Sequence, residues 1–197
     1  MAYTESNGWA KLKQLIDSTR LPGSCTRLGL IISNKTTAGE SKKAAGAGIP
    51  TRVIDQTFFG CHSEFEFTIS KVLEEFSIDL VCFVGFRRTL SDQFVNKWKG
   101  KLLSAYPWLS PALSVERVLQ TKLKVSGCTI CFTLEGCVPG PTVLQETVTV
   151  QTGDTEVTLS ARMEDAQQRA VTKALLLVAS GIVSLPAGGS IHWRAQD

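Results

Sequence analysis

The sequence predicts an α/β fold, a doubly wound and mostly parallel sheet with helices on its faces and an antiparallel C-terminal part. Leu28-Gly-Leu-Ile-Ile32 and Leu80-Val-Cys-Phe-Val84 are continuous apolar runs, the pattern of strands buried on both sides. Segments with helical spacing of apolar residues separate them, as crossover connections between parallel strands require. Near the C-terminal end, residues 125–133 and 143–150 are two strand-like segments joined across Glu135–Pro141, close enough to pair directly. At 197 residues the chain fits one domain, spanning residues 1–197, with a single substantial core.

The elements follow in order. Trp9, Leu12, Leu15 and Ile16 share a helical face, and the helix ends by Leu21-Pro22-Gly23 because proline cannot continue it. After the first apolar strand comes a short helix over residues 41–45, stopped at Gly46 or Gly48, and a small strand over residues 52–54. Ser63-Glu-Phe-Glu66 has the capping-box spacing and opens a helix carrying Phe67, Ile69, Val72, Leu73 and Phe76. The second apolar strand closes at Gly85. Phe94, Val95 and Trp98 mark another short helix, and Leu102-Leu103 the strand after it. Asp154 is placed to cap a long helix running to about Ser180, with Gly181 as its stop.

Composition excludes several classes. Apolar residues make up 43% and charged residues 20%, near the globular average, so disorder and coiled coil do not fit. A net charge of +3 is too small for a nucleic-acid partner, and the densest basic stretch, Arg87, Arg88, Lys97, Lys99 and Lys101, reads as a solvated face. The first eight residues lack an apolar signal core, and Ala174–Ala179 falls far short of a membrane span, so the expected location is cytoplasmic, with no membrane partner. The six cysteines are then expected as reduced thiols. Cys128 and Cys131 have CxxC spacing, but on a strand residues three apart point to opposite faces and cannot share a metal.

Catalytic motifs are scarce. The sequence contains no GxGxxG, GxxxxGK[ST], nucleophile elbow or HExxH. His62, in a predicted loop, and His192, near the end, read as surface residues. The segment Leu134–Pro141 is the one irregular stretch that sets a carboxylate, Glu135, beside a strand end.

From Leu15 onward the chain resembles the glycinamide ribonucleotide formyltransferase family. The resemblance rests on Leu15–Arg20, Ile32–Lys35, Ala47–Ile54 and Val72–Asp79, then Gly127–Thr129, Leu144–Glu146, Gly153–Thr155 and Leu177–Gly181, in order along about nine-tenths of the chain. It implies a formyltransferase fold and, in working members, transfer of a formyl group from 10-formyltetrahydrofolate to the amine of glycinamide ribonucleotide. An amine attacking a formyl carbon needs a stabilised oxyanion and a proton acceptor. The family supplies an Asn and a His in an N-x-H-P segment, an Asp on a later loop and a second His on the intervening strand. Here those positions are Ser104, Tyr106, Val138 and Cys131, so no member of the acid/base set remains.

The resemblance implies further losses. A family G-x-G-S-N loop cradles the substrate phosphate; the aligned region here is Asn7-Gly8-Trp9-Ala10-Lys11, with Trp9 where a glycine is needed. A ribose-contacting Glu aligns with Gln167, and the loop between Pro111 and Glu116 is shortened. Folate-pocket candidates are Arg88 and Leu90 in Gly85–Leu90, together with Glu135 and Gly140. Residues 1–7 are not strand-like, so the family's first strand is expected to be missing, which would force the sheet to re-pair or to borrow a strand from another copy. The expectation is a catalytically inactive formyltransferase relative without a cofactor. Its work would be binding a small molecule, regulating an active purine-synthesis enzyme or serving as an abundant structural protein, with another copy of itself or an active purine-synthesis enzyme as the expected partner. The alternative is an active 10-formyltetrahydrofolate-dependent enzyme of altered mechanism.

Overall fold

The computed structural model describes residues 2–4, 9–20, 24–33, 44–85, 89–110, 112–137, 139–186 and 189–194. A seven-stranded mixed sheet is its centre, in the order β3-β2-β1-β4-β5-β6-β7. Its strands are β1 (Ala2–Thr4), β2 (Ile31–Ser33), β3 (Thr51–Val53), β4 (Val81–Val84), β5 (Leu102–Tyr106), β6 (Val125–Thr133) and β7 (Pro139–Thr149). The first five strands are parallel, and β6 and β7 join antiparallel.

The expected loss of the first strand is wrong. Ala2–Thr4 lies in the middle of the sheet, with Tyr3 opposite Ile32 on one side and Phe83 on the other. The slot is filled because both flanking strands offer backbone groups that need partners. The gap that called for a borrowed strand is therefore filled by the chain itself.

Two cores form on the two faces of the sheet. On one face, α1 (Trp9–Thr19) and α5 (Glu156–Ala179) pack Leu15, Ile16, Leu159, Met163 and Ala170 against Ile31, Cys82, Leu103, Ile130 and Phe132. On the other, α2 (His62–Glu75) and α3 (Asp92–Lys97) pack Phe65, Ile69, Leu73 and Phe94 against Ile32, Val81, Phe83 and Leu102. Adjacent strand residues enter opposite cores, which is why the two apolar runs are continuous. A short helix α4 (Val115–Gln120) and the hairpin β8 (Val183–Ser184) with β9 (His192–Trp193) complete the described residues; the sequence reading had neither. Residues 44–46 are helical, while the rest of the predicted 41–45 helix lies outside the described residues.

Two helix starts differ from expectation. α2 is capped by Cys61 without any side-chain bond, and Glu66 is not part of a capping box. It is buried, and its carboxylate accepts from Ser91 N at 2.7 Å and from Ser91 Oγ, tying α2 to the start of α3. Phe67, expected on the apolar face, is 59% exposed. At α5 the cap is Thr155, whose Oγ1 accepts from Thr158 N at 3.3 Å in a reciprocal capping box. Asp154 instead accepts from Gln151 N at 2.7 Å, Thr158 Oγ1 at 2.9 Å and the Arg162 guanidinium.

The hydrogen bonds from Arg162, then that from the Gln151 amide, hold the Asp154 carboxyl well below the usual carboxylate range. A folded-state pKa below the unfolded value contributes stability at neutral pH that is lost as pH falls through the carboxylate range. Acid unfolding followed by circular dichroism is therefore expected to be shallower below about pH 4 in Asp154→Asn than in the parent protein.

Candidate functional site

The chain runs outward from β1 to β2 and β3, then returns to β4 on the far side, so the topological switch lies between β1 and β4. In open α/β sheets, ligands bind beyond the carboxyl ends of strands at such a point. Gly8 and Arg88 belong to the segments that follow β1 and β4; both lie outside the described residues, as do Val138 and the side chain of Trp9. The adjoining β5–β6 pair is described in full.

Leu103 and Ala105 enter the α1/α5 core, so Ser104 and Tyr106 face the opposite side. Antiparallel register sets Ser104 across from Cys131 and Tyr106 across from Thr129. Thr129, Cys131 and Thr133 therefore share the face of Ser104 and Tyr106, giving a stripe of hydroxyl, thiol and phenol groups. Ser104 Oγ and Thr133 Oγ1 are hydrogen-bonded at 2.7 Å. Thr129 Oγ1 donates to the Trp108 carbonyl at 2.9 Å and accepts from Gln145 Nε2 at 3.0 Å. The Tyr106 ring stacks on Trp108 with centroids 4.5 Å apart. Thr133, Trp108 and Gln145 were not singled out from the sequence; only the alternation of the β6 strand pointed to the threonine.

Cys131 is fully buried, and burial pushes its thiol up to about 12, against a smaller opposing effect of a hydrogen bond from the Gly140 backbone. Gly140 has no room for a side chain, since a Cβ there would come 2.5 Å from the Phe132 carbonyl oxygen. Glu135 is exposed on the short helical turn Glu135–Cys137, which Asp92 anchors by accepting from Gly136 N at 2.8 Å. Leu90 packs in the α2/α3 core at 4% exposure, and Gln167 is buried on α5 at 7%. Ser104, Tyr106 and Cys131 thus share one face, with the Gly140 backbone beside Cys131, whereas Glu135 lies on the turn after β6, Leu90 in the α2/α3 core and Gln167 on α5.

Burial also pushes the Cys82 thiol up to about 12 and that of Cys128 to about 11. Cys128 packs in the α1/α5 core, on the other face of β6 from Cys131. Alkylation with iodoacetamide at neutral pH is expected to modify exposed Cys25 and Cys61 in the folded protein. Cys82, Cys128 and Cys131 should react only after unfolding, as peptide mapping would show.

His62 is not the loop histidine that was expected. It is the first residue of α2, where Nε2 lies 2.8 Å from the Thr89 carbonyl oxygen and 3.1 Å from Glu66 Oε1. Two acceptors thus flank Nε2, and Nδ1 lies 3.3 Å from Gln56 Nε2. His62 and Glu66 together fix residues 89–91, the connection between β4 and α3. His192 is exposed, as expected.

An open α/β sheet with its switch point beside a polar stripe on the fifth parallel strand defines the class of fold, and comparison identifies the family. The profile of the formyl transferase family matches residues 2–175, and the chain belongs to that family. It is 46% identical over 201 residues, covering all of this chain, to the trifunctional purine biosynthetic protein adenosine-3 of Homo sapiens, and 44% identical over 198 residues to that of Gallus gallus. In both cases the chain spans only 20% of the relative's length. Phosphoribosylglycinamide formyltransferase of Escherichia coli is 28% identical over 170 residues, 84% of this chain and 80% of that enzyme. Among solved structures, phosphoribosylglycinamide formyltransferase from Anaplasma phagocytophilum superposes with a TM-score of 0.85 at 28% identity, covering 100% of this chain and 93% of that one. The formyltransferase fold anticipated from the sequence is the observed one.

Proposed function

We propose that this chain is a catalytically inactive member of its family, a formyltransferase scaffold whose remaining role is to bind rather than to transform. The observation that supports this is the composition of the β5–β6 face. Ser104 and Thr133 are occupied with each other, Cys131 is a protonated buried thiol, and Tyr106 is a phenol stacked on Trp108. A phenol is a poor base at neutral pH. A thiol titrating near 12 is a poorer one. Neither imidazole nor carboxylate takes part in the described stripe. The face retains neutral donors and acceptors, which suit recognition of an uncharged polar group better than proton transfer. A turnover assay with 10-formyltetrahydrofolate and glycinamide ribonucleotide, run beside calorimetric titration of each, tests the reading. Product formation at enzymatic rates would overturn it.

A further inference from the structure

A cleft opens on the edge of the sheet opposite the switch point. It lies where the parallel strands begin, bounded by residues 26–29 before β2, 47–50 before β3 and 76–80 before β4, with the last turns of α1 and α5 beside it. Its volume is about 840 Å³, within the range of small-molecule sites and far above the few water-sized voids of close-packed interiors.

The lining is divided by depth. Leu15, Leu28, Ile49 and Leu175 supply an apolar floor, each at 8% exposure or less. Cationic groups sit at the mouth: Arg20 and Arg27 are both exposed, and the Arg20 guanidinium donates through Nη2 to the Ala47 carbonyl. That bond uses one of the five donors of a planar group. Asp79, also exposed, is the one carboxylate among the described lining residues, so two guanidiniums there face a single opposing charge. Apolar depth below a cationic rim complements a molecule with an apolar body and one anionic head. Isolated anions lack the body to displace water from the floor, and neutral apolar molecules leave the guanidiniums unused.

We infer that this cleft is a binding site for an amphipathic organic anion, a compact apolar body carrying one carboxylate, sulfonate or phosphate, separate from the switch-point edge of the sheet. Cys25 lies in the lining and Cys61 outside it, and both thiols are exposed, so the protein carries its own reporter and control.

The test uses the full chain and anilinonaphthalene sulfonate as probe, with octanoate and inorganic phosphate as competitors. Expected results are saturable fluorescence enhancement with one site per chain, displacement by octanoate and none by inorganic phosphate. Bound probe should slow iodoacetamide alkylation of Cys25 and leave Cys61 unchanged. Arg20→Gln with Arg27→Gln should weaken binding about tenfold or more, the range for lost charge-assisted bonds. The proposal fails if enhancement does not saturate, if both thiols are protected equally, if the double variant binds as the parent does, or if inorganic phosphate alone displaces the probe. Thiol protection is read on the unaltered protein, so a variant that fails to fold leaves the test standing.

Discussion

Purified protein supplied with 10-formyltetrahydrofolate and glycinamide ribonucleotide is expected to yield no formylated product above the uncatalysed background. Removing a general base costs about 10²–10⁴ in rate, and removing one oxyanion donor about 10²–10³. These losses overlap, because groups that act as a unit fail together. A rate at least about 10⁴-fold below that of an intact relative assayed in parallel is the expected outcome. Variants supply the sharper check. Ser104→Ala breaks the 2.7 Å bond to Thr133, and Tyr106→Phe removes only the phenolic oxygen. In an inactive protein neither changes a background rate; in an enzyme working by an altered mechanism at least one lowers it. Turnover of about 1 s⁻¹ or faster, in the ordinary range of enzymes, would end the inactive reading.

Gly127→Ala is expected to be the most damaging single methyl on the β6–β7 ladder. Gly127 has φ of +157°, and an added Cβ would lie 2.1 Å from the Glu146 carbonyl oxygen and 3.0 Å from Leu109 Cδ2. Backbone oxygen cannot swing aside as a side-chain tip can, so the two strands must separate locally. Overpacking of this kind costs on the order of 3 kcal/mol, seen as a fall in the urea midpoint. Gly46 is the control: it is helical, and nothing lies within 4 Å of its added Cβ. Gly46→Ala should stabilise by about 0.4–1 kcal/mol through the unfolded chain. Equal effects at the two sites would contradict the register described for these strands.

What could be read from the sequence follows a physical pattern. Leu28–Ile32 and Leu80–Val84 declared themselves because both faces of each strand are covered, leaving unbroken apolar runs. β1 did not, since Tyr3 and Thr4 have no such run and only their neighbours show that the slot is filled. Local capping rules misplaced two helix starts where a distant partner claims the side chain: Ser91 takes Glu66, and Arg162 takes Asp154. At the site, the positions 104, 106 and 131 came from resemblance, whereas their union on one face comes from antiparallel register, which no local pattern states. The His62 network was hidden for the same reason. Its partners stand at Gln56 and Thr89, on opposite sides of it in sequence.

The uneven pairing of the described strands has a mechanical consequence. Ala2–Thr4 matches three residues of β2 and three of β4, whereas β6 and β7 share eight register pairs. Among the described residues, the seams that join β1, β2, β3 and β4 thus carry three register pairs each, far fewer than the β6–β7 ladder. Cooperative units of different strength open at different free-energy cost. The parallel edge of the sheet can therefore open while the antiparallel half stays closed.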